Sequence, residues 1–341
     1  MPELHSSFSP PLYLQSPAVQ TITPSLFRRV SPLSGESELL ELPDGDFLEL
    51  HWHRRGRPIL ALLTHGLEGS MESSYLLGLA HALSRADFDV LRWNMRGCGT
   101  ERNRLTTWYH SGQSEDLLQV VSRALSVHSG DIVLVGISVG GNITLKYLGE
   151  SATSLSPRIR AAVAVSVPMD LKGSAQELAK PKNAPYMQYL LRPLRARMRE
   201  KAARFPGHFD ISRLSSIRTF HEFDERFTAP YHGFRSVDEY WEHSSSRQFL
   251  TSITVPTLLI SAQDDPFLSP GCFPREIARA KDMLLLETPR HGGHVGFIER
   301  LALERTWLDK RIVEFLRTIP SKTVALNSNV DGITSGDTSE N

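Results

Sequence analysis

Between residues 37 and 317 the apolar positions follow two alternating patterns. Short, mainly apolar runs occupy 59–64, 89–93, 132–137, 161–167, 257–261 and 283–287. Runs of that kind suit strands buried on both faces of a mostly parallel sheet. Segments with helical periodicity separate them at 73–85, 115–128, 142–150, 271–280 and 302–317. Residues 37–42 and 47–52 flank the turn Pro43-Asp44-Gly45-Asp46, which predicts a hairpin. The alternation predicts an α/β fold built on a doubly wound sheet. From 168 to about 252 the rhythm stops, with helix-like and loop-like sequence and no buried strand. That interval is too long for a connecting loop and predicts an inserted helical cap.

The two ends read differently. Residues 10–32 are rich in Pro, Ser and Thr, and residues 1–36 are expected to form an extended arm packed on the fold. Residues 321–341 are mostly Ser, Thr, Asn, Asp and Gly and predict a disordered tail, because they offer too little apolar surface to offset the entropy of ordering. Residues 37–320 are then expected to form one domain with the cap inside it. At 341 residues the chain is longer than the ordinary size of about 150 residues per domain, and the insertion is read as part of that surplus rather than a second fold.

Composition narrows the function classes. The 38 Lys plus Arg balance 38 Asp plus Glu, which argues against a general nucleic-acid binder. No run of about 18 apolar residues predicts a transmembrane span, and the N-terminus has neither the basic nor the apolar region of a signal peptide. Only Cys98 and Cys272 carry thiols; a disulfide framework is excluded, and a reduced, cytoplasmic setting is expected.

The chemistry starts at the run 132–137, which continues into Gly136-Ile137-Ser138-Val139-Gly140-Gly141 before a helical stretch. Strand, G-x-S-x-G and helix in that order define a nucleophile elbow. The glycines leave room around a serine held at unfavourable backbone angles, and the helix N-terminus behind it favours developing negative charge. An acid is expected after a late strand. The run 257–261 leads to Ala262-Gln263-Asp264-Asp265-Pro266-Phe267, where Asp265 is the preferred acid and Asp264 the alternative. The base belongs after the final strand, in Pro289-Arg290-His291-Gly292-Gly293-His294-Val295-Gly296-Phe297. His294 is preferred, since the residues after it are read as opening the last helix; His291 is the alternative. A two-histidine metal site lacks supporting Cys or carboxylate spacing, so no metal and no cofactor are expected. Oxyanion donors are expected from the backbone amides of Val139 and of Leu67, the latter in His65-Gly66-Leu67-Glu68-Gly69-Ser70. His65 is expected to buttress that loop.

With these parts in place the chain resembles the α/β-hydrolase superfamily, and within it the YheT-like branch with plant Emb8 and animal ABHD1/3-type proteins. The segments that carry the resemblance span nearly the whole chain. They are Phe8-Ser9-Pro10-Pro11 with Gln20-Thr21-Ile22, the 65–70 loop with Ser74-Tyr75, Asn94-Met95-Arg96-Gly97-Cys98-Gly99, and Tyr109-His110-Ser111-Gly112 with Asp116. In the cap they are Glu222-Phe223-Asp224, Thr228-Ala229-Pro230, Gly233-Phe234 and Tyr240-Trp241. The resemblance implies a serine hydrolase with Ser138, Asp265 and His294 as triad. It implies a small-molecule ester or lipid substrate, with short to medium acyl chains, and acyl transfer to an alcohol as the alternative outcome. Eukaryotic members often carry an N-terminal membrane anchor; its pattern is missing here, so a soluble bacterial-type protein, plausibly monomeric, is expected.

In the cap, Leu194 and Met198 share a helical stripe, while Arg195, Arg197, Arg199, Lys201 and Arg204 fill the other positions. These charges are expected to be solvated. Met187, Tyr189, Phe220, Phe223 and Phe227 are expected in the core, with His221 and His232 hydrogen-bonded locally.

Overall fold

Nine strands form one sheet in the computed structural model, which describes residues 3–301 and 303–320. In chain order they are β1 (Glu3–Leu4), β2 (Glu36–Glu41), β3 (Phe47–His53), β4 (Ile59–Thr64), β5 (Asp89–Asn94), β6 (Asp131–Ile137), β7 (Ile159–Val165), β8 (Thr257–Ile260) and β9 (Leu284–Glu287). Their spatial order is β1-β9-β8-β7-β6-β4-β5-β3-β2. The hairpin β2–β3 is antiparallel and joins β5 antiparallel, whereas every pairing from β5 across to β1 is parallel. The expected α/β sheet is therefore present, and each apolar run of the sequence is one of its strands.

Strands β5 and β6 are buried at every position because helices cover both faces. Helices Ser114–Val127 and Val139–Glu150 pack Leu117, Val120, Ile143 and Leu148 against one face. Helices Ser74–Arg85 and Trp307–Arg317 pack Leu76, Leu79, Ile312 and Phe315 against the other. Strand β4 is flanked by β5 on one side and β6 on the other, so the connections diverge at its C-terminal end. That switch point opens a crevice where open α/β sheets bind ligands.

Two local readings change. The arm is not simply extended: Pro17–Phe27 is a helix, with Pro17 at its first position, where a missing N–H costs nothing. The last helix begins at Trp307, where Thr306 and Asp309 form a capping box; residues 295–298 are turn and irregular loop. Ala302, the start expected from periodicity, lies outside the described residues, as does the tail 321–341. In 168–252 the elements are helical, the longest being Ala184–Arg204, with no strand among the described residues. No described helix is long and apolar enough to cross a membrane.

Candidate active site

The turn after β6 is built as its glycines require. Ser138 sits at φ 54° and ψ −121°, a region that costs a non-glycine residue of the order of 1–3 kcal/mol. A Cβ on Gly136 would lie 2.4 Å from the Gly140 carbonyl oxygen, and one on Gly140 would lie 2.3 Å from that of His65. The sharp turn thus packs directly on the loop after β4. Ser138 N–H donates to the Val165 carbonyl at 2.8 Å, which ties the turn to β7 as well.

Chain ends of three strands converge on this serine. Ser138 Oγ lies 3.0 Å from His294 Nε2, and His294 Nδ1 lies 2.8 Å from Asp265 Oδ2. The other Asp265 oxygen accepts from the Phe267 amide at 2.9 Å, so the carboxylate is oriented from both sides. The Phe267 ring stacks on His294 with centroids 4.3 Å apart. Ser138, His294 and Asp265, far apart in the chain, are therefore assembled in one chain of hydrogen bonds. The alternatives pair with each other instead: Asp264 faces His291 at 3.4 Å and accepts from the Gly293 amide at 2.9 Å. Burial raises the Asp264 carboxyl above its usual range.

The loop after β4 carries the second set of groups. Gly66 N–H donates to Tyr75 Oη and Glu68 N–H to Tyr109 Oη, each at 2.8 Å. The amide between them, of Leu67, has no protein acceptor among the described residues, and neither has the amide of Val139. Gly66, Leu67, Ser138, Val139 and His294 all line one cavity of about 900 Å³. His65 buttresses the loop as expected. Its Nδ1–H donates to the Gly66 carbonyl at 2.8 Å and its Nε2 accepts the Met95 amide at 3.1 Å. Burial pushes its pKa down to about 4, which keeps the ring neutral.

Several contributors were not assigned by sequence reasoning. From the arm helix, Thr21 Oγ1 accepts the His294 amide at 2.9 Å. The Gln20 side chain bridges Leu14, from which it is six residues removed, to both backbone groups of Ile298 at 2.7–2.9 Å. From the cap, Arg197 corrects the expectation of solvated charge: it is buried against Glu68 at 3.0 Å and donates to the Gly97 carbonyl at 2.5 Å. Tyr109 Oη donates to the same Glu68 carboxylate at 3.0 Å. Lys201 is also buried, donating to the Thr107 carbonyl at 2.8 Å, and burial lowers its pKa to about 8. These cations dock the helix Ala184–Arg204 onto loops beside the serine. Met187, Phe223 and Phe227 are core, as expected, although Phe223 also lines the cavity, as do Tyr189 and Phe220. His232 packs on Trp108 with centroids 4.9 Å apart, and its Nε2 has no partner among the described residues. Gln20, Thr21, Tyr75 and Tyr109 stand in the motifs that carry the family resemblance, which was the available signal; nothing marked Arg197.

Among the described residues no group of three or more His, Cys, Asp and Glu side chains could hold a metal ion. The arrangement has what acyl transfer requires: a hydroxyl, a hydrogen-bonded imidazole, an orienting carboxylate and unpaired amides. Residues 62–301 match the model of the α/β-hydrolase fold family. The chain belongs to this family. Within the α/β hydrolases it falls in the YheT/ABHD branch. It is 35% identical to YheT of Escherichia coli (strain K12), described as a candidate esterase, over 88% of this chain and 90% of that protein. It is 27% identical to the phospholipase ABHD3 of Mus musculus, over 93% of this chain and 80% of the relative. The Pyrococcus furiosus esterase Pf2001 superposes with a TM-score of 0.56 at 18% identity, covering 86% of this chain and 98% of that one. The latter likeness concerns the fold alone.

Proposed function

We propose that this α/β hydrolase is a serine esterase that cleaves carboxylic esters through an acyl-enzyme. The observation that carries the reading is the hydrogen-bond chain Ser138–His294–Asp265 at 3.0 and 2.8 Å, opening on the large cavity. His294 Nε2 takes the Ser138 hydroxyl proton as Oγ attacks the ester carbonyl. Asp265 accepts from Nδ1–H, which selects the tautomer with a free Nε2 lone pair and stabilises the imidazolium. The amides of Leu67 and Val139 donate to the oxyanion. Collapse of the adduct passes the proton from His294 to the leaving alcohol. Water, deprotonated by the same nitrogen, then releases the acid and frees Ser138.

Residues 168–252 act in this reading as a cap inserted in the domain 37–320, and the arm 1–36 braces the histidine loop. The lining by Leu67, Leu171, Leu178, Leu190 and Leu194 suits an acyl chain rather than a charged group, in keeping with short to medium acyl esters. We place the enzyme in the cytoplasm as a reading of its two free thiols; cell fractionation checks this. Fluorophosphonate labelling tests the chemistry. Intact-protein mass spectrometry is expected to show one adduct, mapped to Ser138 and lost in Ser138→Ala. Unlabelled wild-type protein would overturn the assignment.

A further inference from the structure

One polar group in the cavity has no part in the scheme above. Two carboxylates line the chamber, Glu68 and Asp224. Glu68 is neutralised by Arg197, whereas Asp224 has no cation at ion-pair distance among the described residues. It is half-buried and belongs to the cavity wall. Burial raises its pKa to about 6, so near neutral pH it is mostly an ionised acceptor.

The surroundings hold this carboxylate in place without saturating it. Thr228 Oγ1–H donates to Oδ1 at 2.6 Å and Trp241 Nε1–H donates to Oδ2 at 3.0 Å. Each oxygen therefore keeps acceptor capacity. Asp224 opens a π-helical turn, Asp224–Thr228, a widened turn that occurs often at functional sites. Tyr240, on the following helix Val237–Ser244, also lines the cavity. Its pKa is raised by burial and then by the Asp224 charge, which faces it. The Tyr240 oxygen accepts from the Ser111 amide at 3.0 Å and keeps its own proton to donate. An acceptor and a donor thus line the same chamber, together with Phe220, Phe223 and Trp241. Asp224, Thr228, Tyr240 and Trp241 all fall within the cap motifs of the sequence, which otherwise lack a role.

We infer that Asp224 and Tyr240 form a polar subsite that selects esters bearing a hydroxyl group away from the scissile bond. A hydroxyl both donates and accepts, and so answers both residues. An ammonium group would only donate and would share the chamber with Lys182, which lines the same cavity. The inference rests on the serine-esterase reading, since it supposes that the ester carbonyl docks at Ser138.

The test compares kcat/KM for matched esters that differ only in hydroxyl content. 2,3-Dihydroxypropyl hexanoate against propyl hexanoate probes the alcohol side. Ethyl 6-hydroxyhexanoate against ethyl hexanoate probes the acyl side. Wild type is expected to favour the hydroxylated member of one pair, and Asp224→Asn and Tyr240→Phe to lower that preference about tenfold. The affected pair identifies the side that reaches the subsite. A purely structural role would lower both members equally, so an unchanged ratio in both pairs overturns the inference. Should one variant fail to fold, the other decides by the same ratio. Fluorophosphonate labelling separates the two levels: a labelled wild type with unchanged ratios refutes the subsite alone, and an unlabelled wild type refutes the esterase reading.

Discussion

The turn that presents Ser138 and the helical segment 168–252, read as its cap, are held by different physics. The turn is specified by backbone sterics: Gly136 and Gly140 fit because a Cβ there would strike a backbone carbonyl oxygen at 2.4 Å or less. Its position follows from covalent continuity with β6. The cap is docked by side chains, above all by Arg197 on Glu68 and Gly97, and Lys201 on Leu105 and Thr107. Steric specification leaves a short local motif in the sequence. Docking by buried cations leaves only basic residues that look like any solvated helix face. The comparison implies that damage to the turn is felt in the chemistry, and damage to the docking is felt first in stability.

The largest effect should separate the two adjacent carboxylates near the turn. Asp265→Asn is expected to lower kcat about 10⁴-fold, since the amide favours the wrong imidazole tautomer. Asp264→Asn should change kcat only a few-fold, because its partner is His291. Steady-state kinetics on one short ester decide it, and equal losses would reverse the assignment.

Next comes the docking cation. Arg197→Met leaves Glu68 buried beside Tyr109 without its counter-charge, a change that costs about 3–5 kcal/mol. Urea unfolding should show that loss, with Arg197→Lys intermediate because ammonium cannot reproduce the fork on Glu68 and Gly97. A loss below about 1 kcal/mol, the scale of exposed pairs, would mean that the cap is docked by its apolar contacts alone.

His65 sharpens the comparison through pH. Its folded pKa near 4 lies below the unfolded value of 6.5, so the unfolded chain binds the proton first. The contribution of the neutral ring is full above pH 6.5 and is lost as pH falls towards 4, amounting to about 3 kcal/mol. His65→Gln, which cannot titrate, should therefore lose less stability than wild type between pH 7 and 4. Parallel unfolding curves at both pH values would contradict this.

The smallest effect concerns the arm. Gln20→Leu leaves the Leu14 carbonyl and both backbone groups of Ile298 without their partner, a loss of about 1–3 kcal/mol. Because Thr21, the next residue, accepts the His294 amide, kcat should fall while KM holds. A rise in KM alone would show that the helix shapes the cavity mouth without bracing the histidine.

Much of the frame was readable from periodicity. The interior strands β4 to β9 coincide with mainly apolar runs, because a strand covered on both faces buries most of its side chains. Residues 295–298, expected as helix, illustrate the limit of that signal, since an irregular loop buries Phe297 and Ile298 as fully as a helix can. The capping box at Thr306 was the better marker of the helix start. For the arm, proline content suggested extension, although Pro17 at a helix start is favourable.

By itself the sequence determined the sheet, the sharp turn at Ser138 and the loops from which an acid and a base would come. Those features depend on residues that are neighbours in the chain. Tertiary structure alone set Asp265 against His294 and Asp264 against His291, turned two cap cations inward, and brought Thr21 to His294 and Asp224 into the cavity. Such choices depend on distances between segments far apart in the chain, and these are set only once the elements have packed.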